Sequence, residues 1–270
     1  MEVNILKTIM EHKRLEVEER RSLFPTRLLE RSIYFQTPCV SMREYLLRDG
    51  TSGIIAEIKR RSPSKGVINP NVSVERTSIG YMQAGASALS ILTDTEFFGG
   101  TNEDLLVARK FNFCPILRKD FIFDEYQLIE AKSIGADVVL LIAAMQGPVA
   151  LKSLCEAAHS LGLEVLMEVH SDQEFLEYAD CGMDIVGVNN RDLSTFEVTL
   201  GTSRRLSELI PRSVLTISES GISTTAQIVE LKNLGYRGFL MGETFMRHSR
   251  PERAAREFIT ELQQLESLKA

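Results

Sequence analysis

Residues 135–142 read Gly135-Ala-Asp-Val138-Val-Leu-Leu-Ile142: a glycine, two spacer residues, then five β-branched or aliphatic residues without a break. A glycine placed there suits the left-handed residue that ends a helix, and a run apolar at every position suits a strand buried on both faces, as in a parallel sheet. The unit recurs four more times. Gly85 precedes Ala88-Leu-Ser-Ile-Leu92, Gly162 precedes Val165-Leu-Met-Glu-Val169, Gly182 precedes Ile185-Val-Gly-Val188, and Gly235 precedes Gly238-Phe-Leu-Met241. Three further runs, Ile54-Ile-Ala-Glu-Ile58, Pro115-Ile-Leu-Arg-Lys119 and Val214-Leu-Thr-Ile-Ser218, bring the count to eight, with starts 20 to 34 residues apart. That spacing leaves room for one helix between successive strands, and eight such units predict a (β/α)8 TIM barrel over residues 51–270. Closure rests on the count alone, so an open doubly wound sheet is the structural alternative.

Residues 1–50 read as a helical N-terminal extension of this single domain. Ile5, Ile9 and Leu15 form an apolar stripe beside Lys7, Glu11, Lys13 and Arg14, and Pro25 breaks the pattern. The extension is either a cap packed on the barrel or a lid over its site, and the charged stretch Glu16 to Arg21 reads as a solvated face. The whole chain of 270 residues carries 31 Lys and Arg against 37 Asp and Glu, a net charge of −6, which argues against nucleic acid as a partner. No apolar run approaches the ~20 residues of a membrane span, and the N-terminus mixes Ile and Leu with charges, so the expected location is the cytoplasm. The four cysteines (Cys39, Cys114, Cys155, Cys181) form no close pair and read as reduced, mostly buried thiols. The four histidines are scattered, and no metal-ligand spacing is present.

In such a barrel the chemistry sits where strands end. At the first end, Glu57 and Lys59 are two apart and leave one face of the strand, as an ion pair or as a catalytic pair. At the third, Lys119 could have its pKa lowered by desolvation or nearby cations and transfer protons, or it could simply pair with Glu57. Glu168, in phase with Leu166, closes the fifth strand. Asn189-Asn190-Arg191-Asp192 after the sixth offers amide donors and a guanidinium clamp, or plain turn chemistry. The seventh and eighth ends, Ser218-Glu-Ser220-Gly221 and Leu240-Met-Gly242-Glu243, carry small residues whose backbone N–H groups suit a phosphate. The Glu243 side chain would repel that anion, so it is expected to face away and contribute its N–H at most.

Read together, Ile55-Ala-Glu57-Ile-Lys59-Arg-Arg-Ser62-Pro63-Ser64, Leu92-Thr-Asp94 with Phe97-Phe98-Gly99-Gly100, Leu117-Arg-Lys119-Asp120-Phe121, Leu166-Met-Glu168, Asn189-Asn-Arg191-Asp-Leu193 and Glu219-Ser220-Gly221-Ile222 resemble the indole-3-glycerol phosphate synthase family, in order and over nearly the whole chain. The resemblance implies ring closure of 1-(2-carboxyphenylamino)-1-deoxyribulose 5-phosphate with loss of CO2 and water, with no cofactor and no metal. It implies Lys119 as general acid at ring closure, Glu168 in proton transfer during dehydration, Lys59 as a second acid or electrostatic partner, and Glu57 with Asn189 as holders of these groups. Ser220, Gly221, Gly242 and Glu243 would supply phosphate-side donors, and Arg191, Ser62 and Lys59 would meet anionic or polar substrate groups. Phe98, Leu140 and Phe196 are candidates for an aromatic slot, with ordinary core packing the alternative. The family's N-terminal extension, implicated in closing over substrate, is matched too. Gly242-Glu243 departs from the Gly-Ser of many relatives. Rival readings are another phosphosugar barrel, such as phosphoribosylanthranilate isomerase or a Schiff-base aldolase, and a non-catalytic ligand-binding paralogue. The chain is expected to be a monomer or a homodimer.

Overall fold

All eight apolar runs become parallel strands in the computed structural model, which describes residues 5–193 and 195–268; the ends of the predicted extension and barrel, residues 1–4 and 269–270, lie outside the described residues, as does residue 194. The strands are β1 (Ile54–Ile58), β2 (Ala88–Leu92), β3 (Ile116–Lys119), β4 (Val138–Ile142), β5 (Glu164–Val169), β6 (Ile185–Asn189), β7 (Thr216–Glu219) and β8 (Gly238–Met241). Each pairs with its neighbours in chain order, and β1 pairs with both β2 and β8, so the sheet closes and the open alternative is excluded. The five turn glycines all have positive φ, between 75° and 108°, as a helix-ending left-handed residue requires. Three strands start elsewhere than expected, at Ile116, Glu164 and Thr216. Pro115 has no N–H for the ladder although its carbonyl accepts from Leu89, and Val214 is committed to a turn through its bond to Pro211.

The period of two along each strand sorts side chains into two layers. An inner cluster holds Ile55, Leu117, Leu166, Ile217 and Leu240, with Met42 and Leu46 of the short helix Met42–Leu47 packed into it. The alternate positions, among them Ile54, Ile116, Val165 and Val186, face the surrounding helices. Two residues further along four of the inward columns the apolar residue gives way to a chemical one: Ile55 to Glu57, Leu117 to Lys119, Leu166 to Glu168, Ile217 to Glu219. A buried apolar base and a charged rim are therefore written into the same strands.

The N-terminal helix, Ile5–Leu23, packs on this rim differently from the expected stripe. Leu15 is 69 % exposed, whereas Ile9, Lys13 and Val17 are buried. These three recur every fourth residue and share one face, from which Leu15 is rotated away. Lys13 Nζ lies 2.8 Å from Asp94 and 3.1 Å from Asp120, both fully enclosed, and 2.8 Å from Glu16. Burial alone would lower the Lys13 pKa, but Asp120, Asp94 and Glu16 outweigh it and hold the ammonium above the usual lysine range. The charges continue outward, since Asp120 also meets Arg118, which meets Glu130, which accepts from Arg20 of the helix at 2.6 Å. The stretch Glu16 to Arg21 is thus a docking face as much as a solvated one, with Arg21 bound to Asp124 as well. The four cysteines are free, three of them buried. Among the described residues no helix is long and apolar enough to cross a membrane.

Removing Lys13 leaves two buried carboxylates without their cation. Lys13→Ala is expected to lower the unfolding free energy by about 3–5 kcal/mol, whereas Leu15→Ala should stay within about 0.5 kcal/mol of the parent. Urea unfolding of both variants checks this, and equal effects would contradict the docking assigned to the two faces.

Candidate active site

A cavity opens at the C-terminal ends of the strands, and every residue given a catalytic or substrate-binding role by the resemblance borders it. Its floor is charged. Lys119 Nζ donates to Glu168 Oε2 at 2.8 Å and to Glu219 Oε2 at 2.5 Å. Lys59 Nζ pairs with Glu57 Oε1 at 2.7 Å, and Ser90 donates to the other oxygen of Glu57. Asn189 Nδ2 donates to Glu168 Oε1 at 3.1 Å. Lys119 thus pairs with Glu168 and Glu219 and not with Glu57, which is taken by Lys59.

The electrostatics exclude the other alternative left open for Lys119. Burial would lower the pKa of Lys119, but Glu168, Glu219 and Glu57 outweigh it and hold the ammonium above the usual lysine range. Lys119 is a fixed cation here, not a lysine tuned downward. Two carboxylates sharing one cation cannot be equivalent. Burial raises Glu168 too, yet Lys119 and His170 together hold it well below the carboxylate range. Glu219 is pushed up to about 7, because burial and the nearby charges of Glu168 and Glu57 exceed the pull of Lys119. Its Oε1 is buried without a hydrogen-bond partner.

Two glycines make room for these carboxylates. A β-carbon at Gly187 would collide with Glu219 Oε1, and one at Gly242 with Glu57 Oε1. Each sits in the inward column of its strand, where any larger residue would displace a charge of the site.

Phe98, Leu140 and Phe196 supply apolar surface to the lining, with the Phe121 ring 5.8 Å from Phe98 and the Phe196 carbonyl accepting from the Arg191 guanidinium. Asp94 accepts from the backbone N–H groups of Phe97 and Phe98, so the carboxylate that receives Lys13 also shapes the loop carrying Phe98. Ser62 stands in the two-stranded hairpin Arg61–Ser62 and Gly66–Val67 at the mouth. At the end of β7, Ser220 and Gly221 are consecutive left-handed residues, φ 66° and 78°. Buried Asn190 holds that bend by donating to the carbonyls of Glu219 and Ser220. Gly242 and Glu243 open the next short turn. The Glu243 side chain does not face away as expected: it lies 3.6 Å from Lys65 and 3.8 Å from Arg191, because those two cations attract it. The Arg191 backbone N–H donates to Asn189 Oδ1, coupling the two positions.

Two contributions escaped the sequence reading. Glu219 was quoted only as part of a motif, yet it is in phase with Ile217, the rule that singled out Lys119 and Glu168. Ile5, Leu6 and Ile9 of the N-terminal helix also line the cavity; a lid over the site was one of the two readings of the extension, but nothing local in the sequence names these three residues as its contacts.

The Indole-3-glycerol phosphate synthase family matches residues 6–258. The indole-3-glycerol phosphate synthase of Bacteroides thetaiotaomicron is 45 % identical over 260 residues, covering 96 % of this chain and 99 % of that protein. The protein of the same name from Caldanaerobacter subterraneus subsp. tengcongensis is 40 % identical over 244 residues, covering 90 % and 93 %. Among solved structures, a thiamine phosphate pyrophosphorylase from Pyrococcus furiosus superposes with a TM-score of 0.61 at 17 % identity, covering 83 % of this chain and 98 % of that one, which speaks for the fold alone.

The position of Glu219 carries a stability cost with a definite sign. Its pKa rises from the ordinary 4.5 to about 7 on folding, so the folded state binds the proton more tightly, and stability falls as pH rises through that window. Glu219→Gln keeps an acceptor for Lys119 and cannot ionise. It is expected to be more stable than the parent at pH 8, by on the order of 2 kcal/mol, and equal to it near pH 4. Thermal unfolding at both pH values checks this, and no difference at pH 8 would refute it.

Proposed function

The chain belongs to the indole-3-glycerol phosphate synthase family, and from that premise we propose how its residues close the ring of 1-(2-carboxyphenylamino)-1-deoxyribulose 5-phosphate to give indole-3-glycerol phosphate, CO2 and water. The observation that carries the assignment is the convergence of Lys59, Lys119, Glu57, Glu168 and Glu219 on one cavity that Phe98, Leu140 and Phe196 also line. The chemistry needs this set. An aromatic carbon attacks the ketone carbon, and the ketone oxygen must be protonated as its charge develops. Loss of CO2 restores the aromatic ring, after which the new hydroxyl leaves as water while a proton is taken from the adjacent methylene. Acid is needed twice and base once, so one proton is taken up per turnover when the substrate starts as a carboxylate.

Lys119 is the acid of ring closure. Its strong hold on the proton is no obstacle, because an alkoxide is a stronger base than an amine and the transfer runs downhill. Glu168, ionised and turned into the cavity, takes the methylene proton in the dehydration. Glu219, titrating near neutrality, buffers the charge around Lys119 as that proton moves. Lys59 meets the departing hydroxyl or the substrate carboxylate, steadied by Glu57, and Asn189 orients Glu168. The backbone N–H groups of Ser220, Gly221, Gly242 and Glu243 seat the phosphate beside Arg191. Ser62 meets a polar substrate group, and Phe98, Leu140 and Phe196 hold the benzene ring. These residues need no cofactor and no metal for the steps assigned to them. A reactive lysine of the Schiff-base type is not placed on β6, where Asn189 stands, and the isomerase and binding-protein readings are not favoured by the relatives. The cytoplasmic monomer or homodimer expected from the sequence belongs to the same proposal, and light scattering on the purified protein checks the second part.

The chain has no Trp, so indole product fluorescence can be followed over a low background. Lys119→Ala is expected to lose both CO2 release and indole formation by about 10²–10⁴-fold. Glu168→Gln should release CO2 in a single turnover while indole fluorescence lags, because decarboxylation precedes dehydration. Simultaneous loss of both signals in Glu168→Gln would overturn its assignment to the second half.

A further inference from the structure

His170 follows β5 directly and is left without a role by the steps above. Its ring is largely enclosed, 11 % exposed, with Nε2 3.2 Å from Glu168 Oε1 and Nδ1 3.2 Å from Glu174 Oε2. Glu174 is fixed by its own geometry: the same Oε2 accepts the backbone N–H of His170 at 2.7 Å, and Ser171 caps the helix Asp172–Tyr178 that carries it. A neutral imidazole has one donor nitrogen and one acceptor nitrogen, and an acceptor facing a carboxylate is repelled. With a carboxylate at each nitrogen, both must carry protons. The contact to Glu168 is an ion pair without hydrogen-bond alignment, so its charge matters more than its shape.

The consequence appears at the moment of acid catalysis. At rest Glu168 has a cation on each oxygen, Lys119 at Oε2 and His170 at Oε1. When Lys119 gives its proton to substrate it becomes neutral, and Glu168 and Glu219 lose their shared counter-charge. A carboxylate so stripped in a buried site would take up the next available proton and cease to be a base. Resting on the assignment of Lys119 and Glu168 made above, we propose that His170 is a positioning residue: an imidazolium held by Glu174 that keeps Glu168 ionised and oriented through the step in which Lys119 is neutral. Burial alone would lower the His170 pKa, but its two carboxylate partners raise it to about 10, which fits a ring that stays charged at neutral pH. The charged groups facing Glu168 are Lys119 from β3, Glu219 from β7 and His170; those facing His170 are Glu168 and Glu174. His170 does not border the substrate cavity, so its effect passes through Glu168.

The test begins with the parent enzyme. The chain has four histidines, so ring nitrogen NMR with a His170→Asn reference identifies the signal. His170 is expected to stay doubly protonated to pH 8 and beyond, and in Glu174→Gln to titrate at least one unit lower. A neutral ring at pH 7 in the parent overturns the proposal whatever the catalytic assignments. The kinetic arm follows kcat against pH. His170→Asn and Glu174→Gln should move the acid limb upward by a unit or more and lower kcat about tenfold at pH 6.5, with KM within twofold. His170→Lys, which restores a cation without the ring, should bring the limb back. A parent-like profile in His170→Asn overturns the positioning role. A charged ring together with a Glu168→Gln enzyme that still forms indole at the parent rate would instead refute the assignment of Glu168 on which the proposal rests.

Discussion

The site is organised around one buried ammonium. Lys119 sits between Glu168 and Glu219, with the charge of Glu57 nearby, and without its ammonium those two carboxylates would be buried with their shared cation gone. Isolated, each would cost several kcal/mol to bury; together, two become firm ions and one is forced toward neutrality. A single geometric constraint therefore supplies an acid, a base and a group poised near neutral pH within hydrogen-bond reach. The cluster does not stabilise the fold. It is held by the rest of the barrel, whose apolar lower layers are closed by ordinary packing of Ile55, Leu117, Leu166 and Ile217.

A second charge cluster, one layer outward, does serve the architecture. Lys13 reaches from the N-terminal helix to Asp94 and Asp120, the residues that follow β2 and β3 by two positions and one. Asp120 adjoins Lys119, and Asp94 shapes the loop of Phe98. Docking of the helix and the form of the cavity are thus coupled through two side chains, and the same docking brings Ile5, Leu6 and Ile9 to the mouth. Whether the extension is called a cap or a wall of the site is a matter of which of its turns is considered.

Much of this was legible in the chain because it depends on local rules. The strand count, the helix-ending glycines and the inward phase of Glu57, Lys59, Lys119 and Glu168 follow from a period of two and from the cost of burying charge at a strand end. Three readings failed where the deciding partner is distant in sequence. Leu15 looked like a core residue because its neighbours at 5 and 9 are apolar, but the docking face is set by two aspartates about a hundred residues away. For Lys119 both readings left open, a pKa tuned downward and a pairing with Glu57, gave way, since desolvation can be guessed from a strand and the identity and number of opposing carboxylates cannot. Glu243 was expected to turn away from an anion site, yet in the folded protein it answers to Lys65 and Arg191.

The sequence by itself determined the number of strands and their succession along the chain, the face each side chain leaves by and the kind of chemistry at each strand end, because these are properties of a few consecutive residues. Only the tertiary structure decided which charges share a partner, which carboxylate is left near neutrality and which helix walls the cavity. Those outcomes depend on distances between strands that closure alone sets. In a buried site a displacement of one or two ångströms decides whether a carboxylate is an ion or an acid.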